Sequence, residues 1–153
     1  MRTNKKNSGF TLVEILIVVV ILGILAAIVI PQFTQASTEA RENSLKANLQ
    51  TIRSQIELYK IQHNDDVPGT FTGVDFEDAM TDYTLVTGAT CLSTAANALG
   101  PYLQSIPENP FNLLNSVGDA TGTLGDNSDG WQYDTAENDF RADDNVDAAH
   151  ITW

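Results

Sequence analysis

Between Phe10 and Ile30 the only ionisable side chain is Glu14, and about 20 consecutive apolar residues suffice to carry a helix across the roughly 30 Å hydrocarbon core of a bilayer. The segment is therefore predicted to span a membrane. Beyond it the pattern changes to one apolar face: Leu45, Leu49, Ile52, Ile56 and Tyr59 recur at spacings of four, three, four and three, which marks an amphipathic helix. A single helix from Phe10 to about His63 would be roughly 80 Å long at 1.5 Å per residue. The run "HNDDVPG", His63–Gly69, gathers the stop signals that end it.

The rest of the chain reads as a small head that covers the apolar stripe. Phe76, Met80 and Tyr83 follow Asp75 at helical spacing, so a short helix capped by Asp75 is predicted there. "CLSTAANALG" predicts another short helix ending at Gly100, and the proline-rich "GPYLQSIPENPF" an ordered loop. In "GWQYDTAENDFRA", Trp131 and Tyr133 alternate with polar residues, and Thr135 to Asn138 turn the chain into Phe140, a β-hairpin pattern. The predicted fold class is α+β: one long N-terminal helix packed by a small antiparallel sheet. Residues 10–31 form the membrane part, 32–63 the amphipathic continuation and 64–153 the exported head.

Arg2, Lys5 and Lys6 precede the apolar run with no acid among them, and basic flanks stay in the cytoplasm. The head is then exported. A secretory signal would end in a small-residue cleavage site; the nearest candidate, Thr34-Gln35-Ala36, lies beyond Pro31, so the helix is expected to stay in the product.

Gly9 followed by "FTLVE" resembles the prepilin leader junction of type IV pilins and type II secretion pseudopilins. The resemblance implies that residues 1–9 are a leader, cut after Gly9 by a membrane-embedded prepilin peptidase that also methylates the new N-terminus, Phe10. It implies a self-assembling filament as well, drawn from membrane lipid by an inner-membrane platform protein and an assembly ATPase, with minor pilins as companions.

Glu14 is costly on physical grounds alone. A carboxylate inside an apolar helix costs on the order of 3 kcal/mol unless paired, protonated or able to snorkel to water. Phe10 and Glu14 are four apart and are expected to share a helix face. An α-amine from one subunit facing Glu14 of the next would neutralise both charges in one axial register only. Gly23 and Pro31 weaken the same helix. Either they allow bending or local melting, as in assembled members of the resembling family, or Gly23 permits close packing and Pro31 marks the membrane exit.

The chain carries 8 basic and 20 acidic residues, a net of −12, and loss of Arg2, Lys5 and Lys6 leaves 5 against 20, a net of −15. From Asn64 onward only Arg141 is basic, which excludes a nucleic-acid-binding head built on a basic patch. Cys91 is the single cysteine, so the head has no intrachain disulfide, unlike many type IV pilins. Major pseudopilins use calcium in a C-terminal acidic loop, and the tail "DFRADDNVDAAHITW" resembles theirs. Calcium takes six to eight oxygen ligands. Asp143, Asp144, Asn145 and Asp147 supply that chemistry, with Asp126 and Asp129 as a second group upstream. The spacing lacks the glycine and distal glutamate of an EF-hand, and an acid run at a chain end is more often simply solvated.

No organic cofactor and no enzyme motif is apparent. His63 and His150 are the only histidines, and Ser93, Ser105 and Ser128 lie in no nucleophile motif. The expected function is a filament subunit, a major pseudopilin of type II secretion. The alternatives are a surface type IV pilin for adhesion or motility, a minor pseudopilin, or a membrane-anchored exported enzyme. The expected location is the inner membrane, single-pass, with the head in the periplasm and the assembled form a periplasmic or surface filament.

Overall fold

The computed structural model describes residues 10–119, 125–144 and 150. By its contacts the chain divides into two units, Met1–Ala40 and Arg41–Trp153. Among the described residues of the first unit, every side chain is exposed, from Phe10 through Ile30 and on to Phe33. Helix α1, Leu12–Gln62, continues through both Gly23 and Pro31. Thr34 and Thr38 donate their hydroxyls to the carbonyls of Ile30 and Thr34, so these side chains also stay inside the helical bonding pattern.

In the second unit, α1 buries Leu45, Leu49, Ile52, Ile56 and Tyr59, the five positions read from the spacing. The helix stops after Gln62 because Asn64 and Asp65 turn left-handed, at φ 55° and 70°, and the Asp65 amide closes on the Lys60 carbonyl at 2.9 Å. His63 continues the buried stripe by one more turn. Its ring stacks on Tyr59 with centroids 3.7 Å apart, Nδ1 meets the Tyr59 carbonyl at 2.9 Å and Nε2 the Thr84 hydroxyl at 3.0 Å. A carbonyl only accepts, so Nδ1 carries the proton.

Helix α2, Phe76–Thr81, starts at the N-cap Asp75, which accepts the Asp78 amide. Phe76 and Met80 are buried as expected, but the helix ends at Thr81 and Tyr83 falls in strand β1, Tyr83–Thr84. Its antiparallel partner β2, Thr90–Cys91, begins the segment expected to be a third helix. After β2 the chain instead makes turns, with Ala95 bonded back to Leu92 and Ala98 back to Ala95, and Leu99 bridges to Thr84. Leu92 stays 78% exposed, so a helix here would have had no apolar face to bury.

The larger sheet is mixed rather than antiparallel. Strand β4, Trp131–Asp134, pairs antiparallel with β5, Asp139–Ala142, as the hairpin pattern predicts, and parallel with β3, Val117–Asp119. The parallel pairing starts where the Gly130 and Trp131 amides both donate to the Ser116 carbonyl at 3.1 Å. Gly130 is needed there, because a Cβ would run into the Leu114 carbonyl. Trp131, Tyr133, Phe140 and Ala142 join the helix stripe in one core with Phe76, Ala79, Met80, Tyr102 and Ile106.

Strand β5 is a sheet edge, and Arg53 of α1 covers it. Its Nε and Nη2 donate to the Phe140 carbonyl at 3.1 and 2.8 Å, and Nη2 lies 3.5 Å from an Asp139 carboxylate oxygen. Arg53→Met keeps the aliphatic packing and removes the fork. It is expected to cost about 1–2 kcal/mol, part of the value of a charged hydrogen bond because the site is half-open to water. Arg53→Lys should recover little, since one ammonium cannot reproduce two parallel bonds. Urea unfolding monitored by Trp131 fluorescence reads both.

Burial also sets an alkaline limit. It pushes the Tyr59 hydroxyl up to about 12, with Tyr102 and Asp66 adding repulsion, and burial raises Tyr102 and Tyr133 too. A folded-state value above the unfolded one, about 10, leaves stability intact below pH 10 and removes it as pH rises towards 12. Tyrosinate absorbance of these three rings should therefore appear together with loss of near-UV circular dichroism. Tyrosinate formed in a chain with native dichroism would contradict the burial.

Candidate functional site

The N-terminal end of α1 is built by one short motif. Thr11 is the last residue before the helix. Its amide and hydroxyl both donate to Glu14 Oε2 at 2.8 Å, while its Oγ1 takes the Glu14 amide at 3.3 Å. This is a capping box, two reciprocal side-chain bonds that occupy the orphan groups of a helix start. The sequence Thr11-Leu-Val-Glu14 contains that signal, and Thr11 is the functional candidate that periodicity alone overlooks. Phe10 lies before the helix and 83% exposed, so Phe10 and Glu14 do not share a helix face. The residue that meets Glu14 within the chain is Thr11. Among the described residues Glu14 Oε1 makes no hydrogen bond. Gly9, the predicted cleavage position, lies outside the described residues.

Around this carboxylate the helix is apolar on all sides. Ile15, Leu16 and Val19 form an open apolar surface with Phe10 and Leu12, and the α1 helix is long and apolar enough near the N-terminus to cross a membrane. A helix apolar all round needs lipid or other helices against it. Gly23 has open space where a Cβ would stand, room in which a neighbouring helix could approach closely.

The second group is the acidic tail. Asp143 and Asp144 follow β5 directly and are fully buried. Asp143 Oδ1 accepts the Gly125 amide at 2.7 Å, and Oδ2 accepts the Asp129 amide at 3.1 Å and the Ser128 hydroxyl at 3.5 Å. Asp144 Oδ1 lies 2.8 Å from His150 Nδ1, and Oδ2 takes the Asn109 amide group at 3.2 Å. Asp126 is exposed and takes the Ser128 amide at 2.9 Å. The Ser128 hydroxyl and amide, with a smaller contribution from Asp143, hold its carboxyl below the ordinary aspartate range. Asn145 and Asp147 lie outside the described residues. Among the described residues no three His, Cys, Asp or Glu side chains converge on one point. Calcium needs open oxygen lone pairs, whereas Asp143 and Asp144 face N–H and O–H donors. As placed here, Asp143 and Asp144 do not offer that open arrangement to the ion.

No catalytic constellation assembles among the described residues. Thr84 and His63 are hydrogen-bonded, but both are 0% exposed and lie in the core. His150 is buried against Asp144 and Phe111, and Cys91 is a free thiol.

Residues 4–30 match the family model of the prokaryotic N-terminal methylation motif. The chain is 41% identical over 71 residues to type II secretion system core protein G of Pseudomonas aeruginosa, a match covering 46% of this chain and 49% of that one. It is 30% identical over 111 residues to the core protein G of Vibrio cholerae, covering 72% of this chain and 70% of that one. It is also 47% identical over 51 residues to the type IV major pilin protein PilA of Myxococcus xanthus, 33% of this chain and 23% of the pilin. No solved structure matches. With two thirds of a relative's length covered at this identity, the chain belongs to the type II secretion system core protein G family.

Proposed function

We propose that this protein is the major pseudopilin of a type II secretion system, the repeating structural subunit of a type IV pilus-like filament, with no enzymatic role. The observation that carries the reading is the stretch of α1 from Leu12 to Ile30: an all-round apolar helix, exposed throughout, that holds one carboxylate, Glu14, near its N-terminal end. Packing such helices side by side replaces lipid contacts with helix contacts. It leaves Glu14 as the one group whose energy depends on axial position.

In this reading the prepilin peptidase cuts after Gly9 and methylates Phe10, which keeps its positive charge. The subunit waits in the inner membrane, N-terminus in the cytoplasm and head in the periplasm, until the platform protein and ATPase extract it. Thr11 holds one oxygen of Glu14, and the other is turned to the methylated amine of a neighbouring subunit. A desolvated charge pair that forms in one register only makes Glu14 a register pin. The strongly acidic head keeps the exported surface soluble. On α2, the Asp75 carboxylate, then burial, then Asp82 raise the Asp78 carboxyl above its ordinary value, which shows how densely that charge is placed.

Mass spectrometry of the membrane-derived protein should find an N-terminus at methylated Phe10. Glu14→Ala should be cut and inserted normally and yet give at least tenfold fewer filaments, since an unpaired amine would remain in the core. Thr11→Val, which removes the cap bond, should reduce filament yield roughly fivefold, the equivalent of about 1 kcal/mol, and Thr11→Ser should restore it. Retention of residues 1–9, or normal filaments from Glu14→Ala, would sink the proposal.

A further inference from the structure

The buried acids at the end of β5 fasten four separate segments of the head. Asn109, fully buried, donates to the Gly130 carbonyl at 2.9 Å and to Asp144, while its Oδ1 takes the Phe111 amide at 2.9 Å. Asn112 donates to the carbonyls of Asp129 at 2.7 Å and Asp143 at 2.9 Å. Trp131 Nε1 donates to the Pro107 carbonyl at 2.8 Å. The segments 107–114, 125–130, 143–144 and His150 are thereby joined through Asp143 and Asp144.

A buried carboxylate persists only if donors or cations offset its lost hydration. Both kinds of compensation compete for the same lone pairs. At Asp143 the donors are two backbone amides and a hydroxyl, so the carboxylate acts as a bracket on the loop 125–129. At Asp144 the imidazole of His150 stands within hydrogen-bond distance and the Asn109 amide takes the other oxygen. The His150 ring is 2% exposed, with its centroid 4.5 Å from that of Phe111, which fixes its direction.

We infer that Asp143 and the Asp144–His150 pair form a metal-free lock that fastens the loops 107–114 and 125–130 to the end of β5 in place of both a disulfide and calcium. The lock is a property of the head alone and is independent of the filament reading above. Its components are a carboxylate that gathers loop amides and a buried carboxylate–imidazole contact.

The test is thermal unfolding of the processed full-length chain in detergent, followed by near-UV circular dichroism, with millimolar calcium or millimolar EGTA. The midpoints are expected to agree within about 2 °C, because an ion that does not bind the folded state shifts nothing. Under both conditions His150→Ala is expected to lower the midpoint by roughly 5 °C or more, since it removes the imidazole that faces the buried Asp144 carboxylate. Asp143→Asn should do the same by turning a donor towards a backbone amide. If His150→Ala fails to fold, His150→Leu, which keeps the buried volume and removes the donor, is measured instead. A calcium-dependent rise of roughly 10 °C in the unsubstituted protein would overturn the lock. So would midpoints unchanged by the substitutions.

Discussion

Beyond residue 41, helix α2 and the β4–β5 hairpin answer to the apolar stripe on α1. Five side chains, Leu45 to Tyr59, face one way over four turns, and a helix exposing that face to water would forfeit about 1.5–3 kcal/mol for each large apolar side chain. The head covers it with α2 and with the hairpin β4–β5, whose Trp131 and Phe140 are completely buried. The polar neighbours of the stripe are then used as fasteners. Arg53 closes the edge of β5, Gln62 accepts the Tyr102 hydroxyl at 2.7 Å, and His63 ties the end of the helix to Thr84. The same helix, before residue 41, has no such cover. One continuous element therefore has two different requirements for its surroundings, and its sequence changes from all-round apolar to one-sided between them.

That change is what a sequence reports well, because it is periodic and local. The spacing of Leu45, Leu49, Ile52, Ile56 and Tyr59, the Asp75 cap and the alternation around Trp131 each specify an element without reference to distant parts of the chain. The misreadings come where pairing is long-range. Strand β3 contributes Val117, Gly118 and Asp119, too short and too poor in apolar residues to signal a strand, and its place is set by Ser116 bonding across to Gly130 and Trp131. "CLSTAANALG" has helix-forming composition, but its start pairs with β1 and Leu92 finds nothing to bury against. Intrinsic preference loses there to tertiary context.

The candidate sites divide in the same way. Glu14 is conspicuous as an acid in an apolar run, and Thr11 three residues earlier is a local capping signal, legible once one looks for the reciprocal pair. The residues that hold the C-terminal region are not legible in this manner. Asn109, Asn112 and His150 are polar residues that a reading of polarity assigns to solvated loops, yet Asn109 and His150 are buried at the centre of a hydrogen-bonded junction. Their role depends on which carboxylates the fold brings beside them. Polarity in a sequence indicates that a partner is needed and is silent on whether that partner is water, metal or another segment.

The two acidic sites also differ in what they leave for others. Asp143 and Asp144 are enclosed by donors from their own chain and serve to make the head one body. At Glu14 the Thr11 cap engages Oε2, in a stretch where every side chain is exposed. Satisfying a carboxylate completely removes its ability to discriminate between neighbours, whereas satisfying it by half lowers the cost of holding it in an apolar environment and preserves its demand for a cation. A carboxylate met by its own chain on one oxygen keeps that second condition, and the capping box provides it from two residues of a single turn.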